Sequence, residues 1–126
     1  MEDFADKIMN ITKQIYSIMG SNLVEKSLNE ITEAKSEQGS FVYLLYSGSN
    51  ELLYIGETGA SIKARLVGNG SGAHDKKIFY DQVQKVRYYK IPASIDNQKA
   101  ARKMIEQALS IHLKPKYYDN KDTTTN

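Results

Sequence analysis

FVYLLYSGSNELLYIGETGASIKAR, Phe41 to Arg65, is the stretch on which the reading of the whole chain turns. Phe41 to Tyr46 and Leu52 to Ile55 are short apolar runs rich in Val, Ile and Tyr, and Ser47-Gly48-Ser49-Asn50 between them has turn chemistry. The stretch therefore reads as a β-hairpin. Gly56 closes its second strand, Thr58 or Ser61 caps the helix that follows, and Ile62 and Leu66, four apart, share one face of that helix. Tyr43, Tyr54 and Arg65 then meet at one end of a small sheet.

Downstream, Gly68-Asn69-Gly70-Ser71-Gly72 is a glycine-rich connector. It lacks the lysine and hydroxyl ending of a P-loop and does not follow a strand, so it is no nucleotide signature. Ile78, Phe79 and Val83 suggest a short second helix, and Lys85 to Ile91 alternates as a third strand that Pro92 ends. Asp96 or Asn97 caps a helix from about Gln98 to Leu113 with Ala101, Met104, Ile105, Ala108 and Leu109 on its apolar face. Upstream, Phe4, Ile8, Ile11, Ile15 and Met19, then Leu23, Leu28 and Ile31, recur three or four apart, which predicts an amphipathic helix broken near Gly20-Ser21-Asn22 into two.

The expected fold class is α/β (α+β): a small domain over residues 39–121 with a three-stranded antiparallel or mixed sheet flanked by helices. A helical extension over residues 1–38 precedes it and a polar tail, 122–126, expected to be disordered, follows. A chain of 126 residues has room for one well-buried core. Zero cysteines exclude disulfides and thiolate metal sites. No leading signal segment and no membrane-length apolar run are present, so a soluble, cytoplasmic protein with no membrane partner is expected.

The net charge of +2 is unevenly spread. Residues 1–40 hold four lysines against seven acidic residues, net −3, while 41–126 hold thirteen basic against eight acidic residues, net +5. Phosphate contacts dominate nucleic-acid affinity, so the basic part, which also carries the hairpin, suits a polyanion, although an excess of this size is common on ordinary surfaces.

Tyr43 and Tyr54 stand eleven residues apart, Tyr54-Ile55-Gly56 forms an intact triplet, Arg65 follows in the next helix, and Glu106 and Leu113-Lys114-Pro115 lie downstream. In these features the chain resembles the GIY-YIG nuclease domain, a family that includes homing and restriction endonucleases and a repair subunit that incises damaged DNA. The resemblance covers about two thirds of the chain. It departs from the family pattern at Phe41, where the first triplet has glycine, at Asn69, where many members have histidine or lysine, and at Tyr118, where many have asparagine.

The resemblance implies a metal-dependent DNA endonuclease, an enzyme leaving 5′-phosphate and 3′-hydroxyl ends, with one divalent ion, Mg²⁺ or Mn²⁺, as cofactor. By the same analogy Tyr43 is the general base or water-orienting group, Tyr54 and Arg65 bind the phosphoryl group, and Glu106 is the metal ligand. A phenol of ordinary pKa about 10 needs help to act as a base, and a planar, permanently charged guanidinium suits a phosphoryl oxygen. Lys63, His74, Lys76 and Asn120 are candidate substrate contacts. Each residue also has a plainer reading: strand packing for the tyrosines, a solvated helix face for Arg65, an Arg102 ion pair at i−4 for Glu106. The alternative is a catalytically inactive nucleic-acid or protein-binding module on the same fold. The partner expected is DNA, and the apolar stripe of the N-terminal helices leaves open a homodimer or a partner protein.

Overall fold

The first helix, α1, Phe4–Gly20, starts where Asp3 places its side-chain Oδ1 2.8 Å from the Asp6 amide and so caps one of the free N–H groups of the first turn. A computed structural model describes residues 3–20, 22–68 and 73–117, the side chains of Thr12, Tyr16, Ile18 and Lys76 excepted. Asn69, Tyr118, Asn120 and the tail 122–126 thus lie outside the described residues.

After α1 come strand β1, Val24–Ser27, helix α2, Leu28–Glu33, strands β2, Phe41–Ser47, and β3, Leu52–Thr58, and helix α3, Ile62–Val67. Two 3₁₀ turns, His74–Lys76 and Tyr80–Gln82, lead into strand β4, Val83–Lys90, and helix α4, Gln98–Leu113, completes the order. The four strands form one sheet in the order β1-β4-β2-β3, every pair antiparallel. The α+β class holds, with four strands where three were expected. The second helix of the expected N-terminal pair is split: residues 24–27 pair with β4, Val24 opposite Tyr88 through Ser27 opposite Lys85, and only residues 28–33 are helical. The cause is local. Ser27 and Glu30 form a capping box, Ser27 Oγ accepting from the Glu30 amide at 3.1 Å and Glu30 Oε1 from the Ser27 amide at 2.9 Å, which starts the helix at Leu28 and leaves the residues before it to the sheet. Likewise, the short helix expected around Ile78 to Val83 is a pair of 3₁₀ turns.

The hairpin is closed as its sequence suggests. Asn50, at φ 66°, takes the left-handed conformation that asparagine tolerates, its amide bonds the Ser47 carbonyl at 3.0 Å, and Ser47 N–H returns to the Glu51 carbonyl at 2.9 Å. β2 lies between β4 and β3 and is buried on both faces, which explains its unbroken apolar run. Phe41, Tyr43 and Leu45 face a layer built from Leu28, Ile31, Ile62, Leu66 and Phe79; Val42 and Leu44 face Met19, Ile105, Leu109 and Leu113 of α1 and α4. The sheet is thus sandwiched, α2, α3 and the 3₁₀ turns on one side and α1 and α4 on the other. Phe41, the departure from the first triplet, is a core residue here, edge-on to Tyr88 with ring centres 5.8 Å apart. Among the described residues no helix is long and apolar enough to cross a membrane.

Candidate functional site

Antiparallel register sets Tyr43 of β2 opposite Gly56 of β3. The glycine matters because a Cβ at position 56 would fall 2.5 Å from both Cζ and Oη of Tyr43, so only a bare backbone lets the phenol lie there. Tyr43 is completely buried, and its Oη is 2.6 Å from Nε2 of His74, itself 1 % exposed. Arg65, carried back by α3 after its Ser61 cap bonds the Ala64 amide at 3.0 Å, brings its charge close enough to act on the Tyr43 phenol. His74 Nδ1, like Arg65 Nε, is buried without a partner among the described residues.

Aromatic contacts hold the imidazole. Tyr54 stacks on Phe79 at 4.9 Å and 14° and meets His74 at 4.8 Å and 62°, and Phe79 continues to Tyr117 at 5.5 Å. Tyr117 is anchored in turn by a 2.8 Å bond from Gln82 Nε2 to its hydroxyl. Burial in this apolar setting, with the nearby Arg65 and Lys77 charges, depresses the His74 pKa to about 3, so the ring is neutral at physiological pH. Burial raises the Tyr43 pKa well above that of an ordinary phenol, and Tyr54 adds to the rise while Arg65 opposes it. At Arg65 burial works against the charge, but Tyr43, Tyr54 and Glu57 outweigh it and raise its pKa.

Glu57, next to Gly56, points to the other side of β3, toward α4. Its Oε1 accepts from Arg102 Nε at 2.8 Å and its Oε2 lies 3.6 Å from Lys103 Nζ. Arg102 is therefore turned away from Glu106, the residue one helical turn on, so the plainer reading of an i,i+4 pair does not hold, and no ion pair within 4 Å reaches Glu106 among the described residues. Burial and the neighbouring Glu57 carboxylate raise the Glu106 pKa, Lys103 partly opposing them. A half-buried carboxylate with no ion-pair partner among the described residues could serve as one oxygen ligand of a hard divalent cation, with water filling the other positions, while the adjacent Glu57 is already held by Arg102 and Lys103. A cation there would have Glu106 as a lone protein ligand, for the described residues hold no cluster of three or more metal-ligating side chains.

Of the residues singled out from sequence, Tyr43, Tyr54, Arg65 and His74 come together on the α3 side of β2 and β3. Glu106 sits on the α4 side, linked to them electrostatically by Glu57, which acts on Tyr43, Arg65 and Glu106 alike. His74 is a buried partner of Tyr43 instead of a loop group exposed to substrate. Lys63 donates to the Ala34 carbonyl at 2.8 Å, tying α3 to the end of α2. The Lys76 backbone lies in the first 3₁₀ turn, while its side chain and the whole of Asn120 fall outside the described residues. Three residues were missed. Glu57 and Arg102 gave no sign beyond the flanking of Gly56 and Glu106, and Phe79 was legible only as an apolar residue. No protein-family model matches the chain, nor does any curated protein or solved structure.

Proposed function

We propose that the chain is a metal-dependent DNA endonuclease of the GIY-YIG kind, hydrolysing a phosphodiester to 5′-phosphate and 3′-hydroxyl ends. The observation that carries this reading is the buried Tyr43–His74 hydrogen bond beneath Gly56, with the Arg65 charge acting on the phenol and Tyr54 packed against the imidazole. Such an arrangement fixes the phenol oxygen for a water-orienting role. Tyr43 Oη accepts a hydrogen bond from the attacking water and orients it, and the water proton passes to solvent, because His74, held at a pKa of about 3, is too weak a base to keep it. The water oxygen bonds phosphorus, the bond to the 3′ oxygen breaks, and that oxygen leaves with a proton from solvent. Arg65 and Tyr54 stabilise the charge on the phosphoryl oxygens. Glu106, on the α4 side of the sheet, would hold Mg²⁺ or Mn²⁺, and such an ion would supply charge to the phosphoryl group of a substrate that spans the β3 edge.

Because Tyr43 has no exposed surface, water reaches its hydroxyl only after His74 or the β3 edge shifts, and the reading requires such an opening on DNA binding. The same burial favours a second reading, a nucleic-acid-binding module on this fold that does no chemistry. Incubation with plasmid, branched and single-stranded DNA in Mg²⁺, Mn²⁺ or EDTA separates them. The nuclease gives metal-dependent cutting that falls at least about 100-fold in folded Arg65→Ala and Glu106→Ala proteins. Salt-sensitive DNA binding with no cutting in any condition selects the binding module.

A further inference from the structure

Arg102 does not behave as a surface arginine of a helix. Its side chain is only 12 % exposed and that of its partner Glu57 21 %, whereas every other ion pair among the described residues has at least one side chain 46 % exposed or more. The default partner at i,i+4 is Glu106, yet the guanidinium is spent elsewhere. Nε holds Glu57 of β3 at 2.8 Å and Nη1 holds Ser40 Oγ, just ahead of β2, at 3.0 Å. The group also lies against the Gly59 backbone, where a Cβ would stand 2.9–3.0 Å from three of its atoms, so a side chain at 59 would push it out. One residue thus fastens α4 to the beginning of the Tyr43 strand, to the end of the Tyr54 strand and to the turn after it.

Glu106 is one turn further along the same helix, so whatever fixes Arg102 fixes the carboxylate relative to Tyr54-Ile55-Gly56. The grip on Glu57 has a second effect, since it commits that carboxylate to cations of the protein and leaves Glu106 uncommitted. We infer that Arg102 is a positioning residue for the cation site: by bridging Glu57, Ser40 and Gly59 it sets Glu106 against β3 as a carboxylate with no ion-pair partner among the described residues. This rests on the proposed role of Glu106 as a metal ligand. Lysine cannot replace the device, because a point charge reaches one of the two acceptors at a time where a fork reaches both.

Cation binding tests this without requiring DNA cleavage. The chain has nine tyrosines and no tryptophan, so Tb³⁺ added to the full chain reports its own site by tyrosine-sensitised luminescence. Glu106→Gln should abolish the saturable signal. Arg102→Gln should raise the half-saturating Tb³⁺ by about tenfold or more, the usual size for an outer residue that orients a ligand, while circular dichroism still shows a cooperative melt. Arg102→Lys should restore only part of the affinity. Ile31→Ala, which loosens the core on the opposite side of the sheet, serves as the control and should keep the wild-type affinity despite a lowered melting temperature. Wild-type affinity in Arg102→Gln, or an equal loss in Ile31→Ala, reduces Arg102 to a structural tie and overturns the inference alone. A wild-type chain that binds no cation overturns the metal reading and the inference together, whereas the expected pattern of binding in a protein that never cuts DNA leaves the inference standing and removes the nuclease.

Discussion

At the scale of single residues, Gly56 and His74 carry the most consequence. Gly56→Ala places a methyl group 2.5 Å from the Tyr43 ring end, in a region where nothing is exposed to absorb the shift. Overpacking of this kind costs roughly 1–3 kcal/mol, visible as a lower urea midpoint with an unchanged slope. Combining it with Tyr43→Ala should cost less than the two single changes added together, since the clash is then gone; strict additivity would mean that the glycine is needed for some other reason. His74 makes stability depend on pH. Its folded pKa of about 3 lies below the 6.5 of a free imidazole, so the unfolded chain binds the proton more readily. The contribution is fully present above pH 6.5 and is lost progressively as pH falls toward 3. Between pH 7 and pH 5 the native state should lose about 2 kcal/mol from this group, and His74→Gln, which cannot take up the proton, should remove that part of the pH dependence. Equal pH profiles for the two proteins would show that the imidazole is not held neutral by the fold.

Secondary-structure elements were legible in proportion to how much their own residues decide. The β2–β3 hairpin was readable because Ser47-Gly48-Ser49-Asn50 builds the turn locally, and α4 because Asn97 accepts from the Ala100 amide at 3.2 Å and Pro115 follows the last turn. β1 was not, because an edge strand of four residues with Val24 43 % exposed has no alternation to detect. A cue was nevertheless present in Ser27-Leu28-Asn29-Glu30. If that capping box starts α2, Ser27→Ala should lower stability by about 1 kcal/mol, and Glu30→Gln, which retains the acceptor, by less. Identical urea midpoints for Ser27→Ala and wild type would leave the boundary between β1 and α2 to the sheet alone. The site was legible by type but not by arrangement. Tyr43, Tyr54 and Arg65 follow from one hairpin and one helix, whereas the burial of His74 and the Arg102–Glu57 bridge depend on chain pieces 31 and 45 residues apart, which no local pattern encodes.

For the molecule as a whole, the first 38 residues are woven into the core that positions the site. α1 supplies Met19, 3 % exposed, to the cluster of Val42, Leu44, Ile55, Ile91 and Leu109, and α2 lays Leu28 and Ile31 against the cluster that contains Tyr43. β1 completes the sheet beyond β4. A chain of residues 39–126 would open both faces of the sheet and bare the β4 edge at once. Since removing one buried methionine side chain already costs about 2–5 kcal/mol, against a total stability of about 5–15 kcal/mol for a domain, that fragment should show no cooperative thermal transition and should bind hydrophobic dye. Met19→Ala in the full chain should still fold, with a lowered melting temperature. A sharp melt of the fragment within a few degrees of the full chain would show instead that the N-terminal elements are an appendage. Loss of the transition would make the helices part of the machinery that holds Tyr43 between Gly56 and His74, because the strand carrying it is buried only when both flanking layers are in place.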